Sequence, residues 1–340
     1  MVQGRIAKRR TVGIVGVGEV ANKVHLPVLR AMRNEIDVSY VADISEVAVA
    51  KTAAAFRCDP IRIVGKSTAL PSTDIVLITT PVGSRWDYYE LLAERGTAVL
   101  AEKPAALNSA DLDRLQKMYR AEDFAVGFQR RTYLTSKLLG GLIESQLMGR
   151  LLRVSASEGA RTTKAGSSQR FMDDIELSGG GILMDLGCHS IDLALTLSNA
   201  SCAALLEIDS VLDGKIDREI DLKTRMESDL GSIDLDLSLS WLSDRDGSFR
   251  LQFENGQAVL GTQPSSPLIL ESAGGDRLGE LARSEGSPVG AVTIHQACYL
   301  VWRSFLDGLE GKAEPELTLA SAAPTVELIE DSYRAVRSTR

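Results

Sequence analysis

Asp185 and His189 stand four residues apart in the stretch Gly179-Gly180-Gly181-Ile182-Leu183-Met184-Asp185-Leu186-Gly187-Cys188-His189-Ser190-Ile191-Asp192. On an α-helix that spacing puts both side chains on one face, one turn apart. A carboxylate beside an imidazole holds one ring nitrogen and raises the basicity of the other, the chemistry of a general base. The flanking residues are mostly apolar, so the pair reads as lying at the rim of a buried surface. A satisfied structural histidine is the plain alternative. Asp-x-x-x-His without further His or Cys ligands makes a poor zinc site, and no metal is expected.

Lys103 is the second chemical group. It lies just past a strand predicted over Thr97 to Ala101, and Pro104 after it opposes a helix. At the carboxyl end of a strand in a parallel sheet, a lysine points toward the ligand crevice. There it can hold a hydroxyl or steady a developing oxyanion. An ordinary surface lysine is the alternative.

The elements that must position these groups begin at the N-terminus. Thr11 to Gly16 is a short apolar strand, and Gly16-Val17-Gly18-Glu19-Val20-Ala21 opens a helical pattern running through Arg33. This is G-x-G-x-x-A at a strand-to-helix turn, with small residues where the chain turns, approaches a pyrophosphate and packs helix on strand. The next strand, Ile36 to Ala42, ends in Asp43, placed to hold the ribose of NAD. Ile44 and Ser45 offer no cation for a 2′-phosphate, so NAD is expected over NADP. Asp43 as a cap of the helix starting near Ser45 is the other reading. Gly16, Val17, Gly18, Glu19, Val20 and Asp43 form the expected cofactor site, joined at later strand ends by Thr80, Pro81, Glu102 and Lys103.

Strand and helix alternate from Asp74 to Gly127, which means a doubly wound parallel sheet. Beyond it, Ile233, Leu235, Leu237 and Leu239 alternate with Asp234, Asp236 and Ser238, the period of a sheet with one wet face. Strands are predicted over 151–158, 203–211, 218–226, 233–241, 249–254, 258–260 and 268–271, and closing helices over 294–309 and 319–336. Gly274 to Gly286 reads as an exposed loop. Arg131 at the domain junction, and Arg161, Lys164 and Arg170 in the loop before the His189 helix, are candidate contacts to an anionic substrate or simply a solvated basic loop. His295 reads as structural.

Composition bounds the rest. A chain of 340 residues, 44% apolar, fills two cores. The domains are expected at 1–127, binding dinucleotide, and 128–340, binding substrate and mediating assembly. A net charge of -8 argues against a nucleic-acid partner. No apolar run approaches the roughly 20 residues of a membrane span, and the start lacks a signal-peptide pattern. Four cysteines without paired spacing point to reduced thiols and a cytoplasmic setting.

Taken together, Gly16-Val17-Gly18, Thr80-Pro81, Glu102-Lys103-Pro104 and Gly180-Gly181 with Asp185-x-x-x-His189-x-x-Asp192 resemble the glucose–fructose oxidoreductase / inositol dehydrogenase / MocA family over most of the chain. The resemblance implies a Rossmann domain followed by an α/β domain with a large, mainly antiparallel sheet. It implies hydride transfer between NAD or NADP and a carbinol or ketone of a sugar, cyclitol or sugar derivative. Lys103, Asp185 and His189 would surround the reacting carbon, with Asp185 orienting His189. A homodimer or homotetramer would form through the sheet. Val82 and Arg85 depart from the family's common Asn and His at those positions. A non-catalytic dinucleotide-binding sensor of the same fold, and an enzyme that never releases its cofactor, are the rival readings.

Overall fold

The computed structural model describes residues 9–65, 69–161, 171–229, 231–281 and 290–338. Lys164 and Arg170 lie outside them, so the expectation for Arg170 has no structural counterpart here.

The first half is a six-stranded parallel sheet: β1 (Arg10–Val15), β2 (Ile36–Asp43), β3 (Asp59–Arg62), β4 (Ile75–Ile78), β5 (Ala98–Ala101) and β6 (Phe124–Val126), in the order β3-β2-β1-β4-β5-β6. The sequences of β4 and β5 are wholly apolar and wholly buried, because helices cover both faces. Those helices are α1 (Leu26–Ala31), α2 (Glu46–Phe56), α3 (Trp86–Glu94) and α4 (Ser109–Met118). The strand order reverses beside β1, between β2 and β4, and a crevice opens at such a switch point. One local expectation is corrected, and one strand is not anticipated. The first helix is not a single α-helix through Arg33: a π-helical turn over Ala21–His25 precedes α1, which ends at Ala31. β3 carries a proline and is mostly exposed, so it shows no strand period.

The second half contains α5 (Leu134–Glu144), β7 (Leu151–Gly159), α6 (Ile175–Ser178), α7 (Cys188–Ser198), β8 (Ala200–Asp213), β9 (Ile216–Ser228), β10 (Gly231–Ser240), β11 (Ser248–Phe253), β12 (Gly256–Gly261), β13 (Leu268–Ser272), β14 (Arg277–Leu281), α8 (Ile294–Leu309) and α9 (Leu319–Ser338). The eight strands form one sheet, β14-β13-β12-β11-β7-β10-β9-β8, antiparallel apart from the β7–β10 pair. Ile233, Leu235 and Leu237 are buried against the helical layer, where α7 packs on β7 to β10. The opposite face carries ion pairs, Arg225 to Asp234 at 2.8 Å and Arg153 to Asp236 at 2.6 Å. β14 corrects the loop reading of Gly274 to Gly286: a turn in which Ser272 N–H donates to the Asp276 carbonyl at 2.8 Å folds the chain back onto β13. Polar composition hid it, since an edge strand needs only backbone pairing.

The closing helices tie the halves together. α8 packs on α1, α9 packs on α4, and Val126 N–H donates to the Leu317 carbonyl at 2.7 Å. Among the described residues no helix is long and apolar enough to cross a membrane.

Candidate active site

The crevice lies beyond the carboxyl ends of β1, β4 and β5, where the two halves meet. Its walls include Val20, Pro81, Lys103, Met172, Asp185 and Trp241, around a cavity of about 140 Å³. The glycine loop forms one rim. Gly16 has φ +92, and a Cβ there would come within 2.9 Å of the Thr80 amide nitrogen, so only glycine fits. A Cβ at Gly18 would meet nothing within 4 Å. The space beside Gly18 is therefore left open by the protein, as close approach of a pyrophosphate requires.

Asp43 stands between this loop and α2. One carboxylate oxygen accepts from Val17 N–H at 2.7 Å and the other from Ser45 N–H at 2.8 Å. Ser45 itself caps α2, accepting from Ala48 N–H. Of the other loop residues, Val20 reaches the crevice, while Glu19 bonds Lys23 on the helix surface. The Thr80 hydroxyl is buried without a hydrogen-bond partner, and Thr79 and Pro81 on either side of it line the crevice.

Arg85 is 3% exposed and fastens the two strand-end loops together. Its guanidinium donates to the carbonyls of Thr80 at 2.8 Å and Pro104 at 2.7 Å, and to that of Glu102. Glu102 lines the crevice, but both of its carboxylate oxygens are engaged within the protein. One oxygen meets His25 Nε2 at 2.8 Å, and the other accepts from Lys103 N–H at 3.2 Å. Burial opposes ionisation of Glu102, yet His25, Lys103 and Arg85 hold its pKa below the ordinary value. His25 receives two opposing demands. The Trp302 indole, a donor only, aims at Nδ1 from 3.3 Å and asks that nitrogen to accept. Against burial, Cys298 and Glu102 raise the ring's pKa to about 10, which favours the imidazolium. In both states Nε2 carries the proton that Glu102 accepts, and that shorter contact fixes the loop.

Lys103 Nζ donates to the Asp185 carbonyl at 2.8 Å and to its carboxylate at 3.0 Å. Burial disfavours the ammonium, but the Asp185 charge and hydrogen bond, together with nearby Cys188 and Glu102, outweigh it, so the Lys103 pKa is raised. Asp185 does not pair with His189, which corrects the expectation from their spacing. The segment Leu183–Gly187 is a π-helical turn, not an α-helical one. A π-turn bonds residue i to i+5 and so departs from the α-helical winding on which that spacing argument rests. Asp185 meets Lys103, and His189 lies in α7. His189 is 7% exposed as a residue, and its Nδ1 is buried with no partner. Burial, then the charges of Lys103 and Arg130, lower its pKa well below the ordinary value, so it is neutral at pH 7.

The glycine entry has a physical cause that spacing alone hid. Asp217, fully buried, accepts from Gly181 N–H at 2.6 Å, Leu183 N–H at 2.8 Å and the Tyr333 hydroxyl at 2.9 Å. A Cβ on Gly180 would lie 2.0 Å from the Tyr333 oxygen, and one on Gly181 only 1.9 Å from the Asp217 carbonyl oxygen. The glycines thus admit a carboxylate from β9 that satisfies the free N–H groups of the turn carrying Asp185.

Arg131 is also corrected. It donates to both carboxylate oxygens of Asp192, to the Glu316 carbonyl at 3.2 Å, and to the Ser321 hydroxyl and carbonyl, each at 2.9 Å. Those five contacts match its five N–H groups, leaving none for substrate. Its neighbour Arg130 makes a buried bidentate pair with Glu158, at 2.9 and 2.6 Å, and Ser190 joins it. Arg161 is tied to the Asp244 loop. His295 Nε2 lies 2.9 Å from the Lys23 carbonyl, a structural role as expected. His25, Arg130 and Asp217 are the organising residues that the sequence did not single out, and Arg85 stands out there only as a departure from the family pattern. The first three act across long sequence separation, and only the double glycine before Asp185 hints at one of them.

A switch-point crevice, a glycine loop and a lysine facing a π-turn define a dinucleotide-binding oxidoreductase fold. Residues 10–128 match the family model described as an oxidoreductase family with an NAD-binding Rossmann fold, and residues 138–259 match the GFO/IDH/MocA C-terminal domain. The chain belongs to the Gfo/Idh/MocA oxidoreductase family, and its first domain is that family's NAD-binding domain. Among curated relatives, myo-inositol 2-dehydrogenase of Thermotoga maritima is 28% identical over 44% of this chain and 42% of its own length. D-glucoside 3-dehydrogenase of Escherichia coli is 26% identical over 54% of this chain and 52% of its own. The matched part thus spans about half of these relatives. The fold also resembles aldose-aldose oxidoreductase from Caulobacter crescentus, solved with glycerol, at TM-score 0.81 and 17% identity over 98% of this chain and 99% of that one. A 3-ketoreductase from Actinomadura kijaniata, solved with NADP and TDP-benzene, gives TM-score 0.79 at 16% identity over 95% and 96%.

Proposed function

We propose that the protein is an NAD-dependent dehydrogenase or reductase acting on a secondary alcohol or ketone of a sugar-like substrate. The observation that carries this reading is Lys103 in the crevice beside the glycine loop, held by Asp185 of the second half. Gly16, Val17, Gly18, Val20, Asp43, Thr80 and Pro81 would hold the dinucleotide, and NAD when bound supplies the hydride acceptor. Asp43 favours the unphosphorylated ribose, because its carboxylate repels a 2′-phosphate.

The charges divide the work. Lys103 remains an ammonium and holds the reacting oxygen, lowering the cost of negative charge there. His189 is neutral and is the group able to accept the hydroxyl proton. Asp185 serves Lys103, placing and charging it, and not the imidazole. The activities in the names of the relatives, on inositol and on glucosides, support a neutral polyol as substrate. The broad sheet face opposite the helices would pair with a second copy in a homodimer or homotetramer. Four free thiols fit a reducing cytoplasm.

The test is a panel of sugars, cyclitols, sugar phosphates and nucleotide sugars assayed with NAD and NADP. Turnover of a neutral polyol with NAD, lost in Lys103→Ala, supports the reading. NAD binding without turnover of any member would instead favour the sensor. The absorbance of the purified protein near the reduced-nicotinamide band, before any addition, separates the enzyme that retains its cofactor.

A further inference from the structure

Lys103 is held along its backbone from both sides. Its own N–H donates to the Glu102 carboxylate at 3.2 Å. The carbonyls of its two neighbours, Glu102 and Pro104, both accept from Nη1 of Arg85, the second at 2.7 Å. Nη1 carries two hydrogens, and these two carbonyls match them. Nε of the same guanidinium donates to the Thr80 carbonyl, 2.8 Å away and just beyond β4. One side chain therefore ties the carbonyls on either side of Lys103 to the neighbouring strand end.

The next turn of the chain works in the same direction. Arg85 stands directly before α3, and Tyr89 N–H donates to its carbonyl at 3.1 Å. The buried Tyr89 hydroxyl donates to the Ala105 carbonyl at 3.0 Å. The start of α3 thus grips the carbonyls of Glu102, Pro104 and Ala105. Arg85 is buried, so these bonds face little competition from water. A guanidinium holds its donors in one rigid plane, whereas a lysine carries its charge on a flexible stem and fixes no plane.

We propose that Arg85 is a positioning residue for the reaction: by clamping the carbonyls on either side of Lys103, it sets where the ammonium stands beside the reacting oxygen. The proposal rests on the dehydrogenase reading and deepens it, since Arg85 then acts on the chemical step through Lys103. Arg85 also lines the crevice, and a direct contact with ligand is the competing outcome.

The test uses the full chain with NAD and the polyol that the substrate panel identifies. Arg85→Lys keeps the charge and removes the fork. It should lower kcat about 10- to 100-fold, the scale of a displacement of about 1 Å at a reacting group, with KM and NAD affinity little changed. In the Lys103→Ala background the same substitution should lower the remaining turnover about twofold at most, because no ammonium is left to misplace. Tyr89→Phe removes only the Ala105 tether and should show the same pattern with a smaller loss, and it serves if Arg85→Lys fails to fold. Tyr119→Phe loosens α3 elsewhere, at the Tyr89 carbonyl to which that hydroxyl donates at 2.7 Å, and should leave kcat at the wild-type value. Equal fractional losses in the wild-type and Lys103→Ala backgrounds would make Arg85 a general brace and overturn the proposal. A loss confined to KM or to NAD affinity would make it a ligand contact and overturn it equally.

Acetic anhydride labelling of the Lys103 peptide, followed by mass spectrometry against pH, reads the ammonium without turnover. Arg85→Lys should move that profile to lower pH, because the ammonium parts from the Asp185 carboxylate. If no substrate turns over in the wild-type chain, the dehydrogenase reading fails and this profile decides. A shift then upholds the clamp, and an unshifted profile overturns it.

Discussion

Lys103 and Asp185 are joined twice: the ammonium donates to the aspartate carboxylate at 3.0 Å and to the same residue's carbonyl at 2.8 Å. The first residue comes from the end of β5 and the second from the turn before α7, so this contact closes the crevice between the two halves. It also fixes the charge state of the lysine, since burial alone would drive the ammonium toward neutrality.

Removing either reacting group should cost turnover without costing the cofactor. Lys103→Ala and His189→Ala should each lower kcat by about 10²- to 10⁴-fold, the usual contribution of a positioned proton-transfer or charge-stabilising group. NAD affinity, followed by fluorescence quenching, should change little. Wild-type turnover in both variants would refute the assignment.

The pairing of Asp185 with Lys103, and not with His189, has its own signature in the pH profile. Asp185→Asn removes the carboxylate that raises the Lys103 pKa and leaves the burial that lowers it. The alkaline limb should therefore move to lower pH, while the acid limb set by His189 stays in place. A shift of the acid limb alone would mean that Asp185 serves the imidazole after all.

His189 also predicts a pH dependence of stability. Its folded pKa is lowered well below 6.5 by burial and by Lys103 and Arg130. The unfolded chain therefore takes up a proton first as pH falls below 6.5, so this site's contribution to stability is present above that pH. It is lost progressively down to the folded pKa. Thermal unfolding from pH 8 to pH 5 should show a decline that is smaller in His189→Gln. Equal declines would place the responsible proton elsewhere.

The Asp217 cap should be visible in stability before activity. Asp217→Asn leaves buried N–H groups less well satisfied and should cost about 1–3 kcal/mol, with Tyr333→Phe milder. Gly181→Ala should be worse than either, because its methyl would meet the Asp217 carbonyl oxygen at 1.9 Å. Denaturant midpoints measure all three. A harmless Gly181→Ala would disprove the close packing.

Cofactor choice should hinge on Asp43. Asp43→Ala removes the charge that opposes a 2′-phosphate, so the NAD-to-NADP ratio of kcat/KM should fall about tenfold or more. An unchanged ratio would leave Asp43 as a brace between Val17 and Ser45 only.

Much of this molecule is readable from residue order alone because its signals are local. The glycine loop, the apolar strands β4 and β5, and the alternation of Ile233 to Leu239 each follow from a few neighbouring residues. The failures have one physical origin: backbone geometry or a distant partner overrode local spacing. Asp185 and His189 have the right interval for an α-helix, but the turn between them is not α-helical. Arg131 has the chemistry of an anion ligand, but Asp192 and Ser321 reach it first. His25 gives no local sign of importance, because Glu102, Cys298 and Trp302 arrive from other parts of the chain.

The π-turn over Leu183–Gly187 is equivalent to one residue spliced into a regular helix. Excision of one residue between Asp185 and His189 would change their interval to three and rotate the acid by roughly 100° about the helix axis relative to α7. It would strip the buried ammonium of its counterion, so the length of this turn governs the charge held in the crevice.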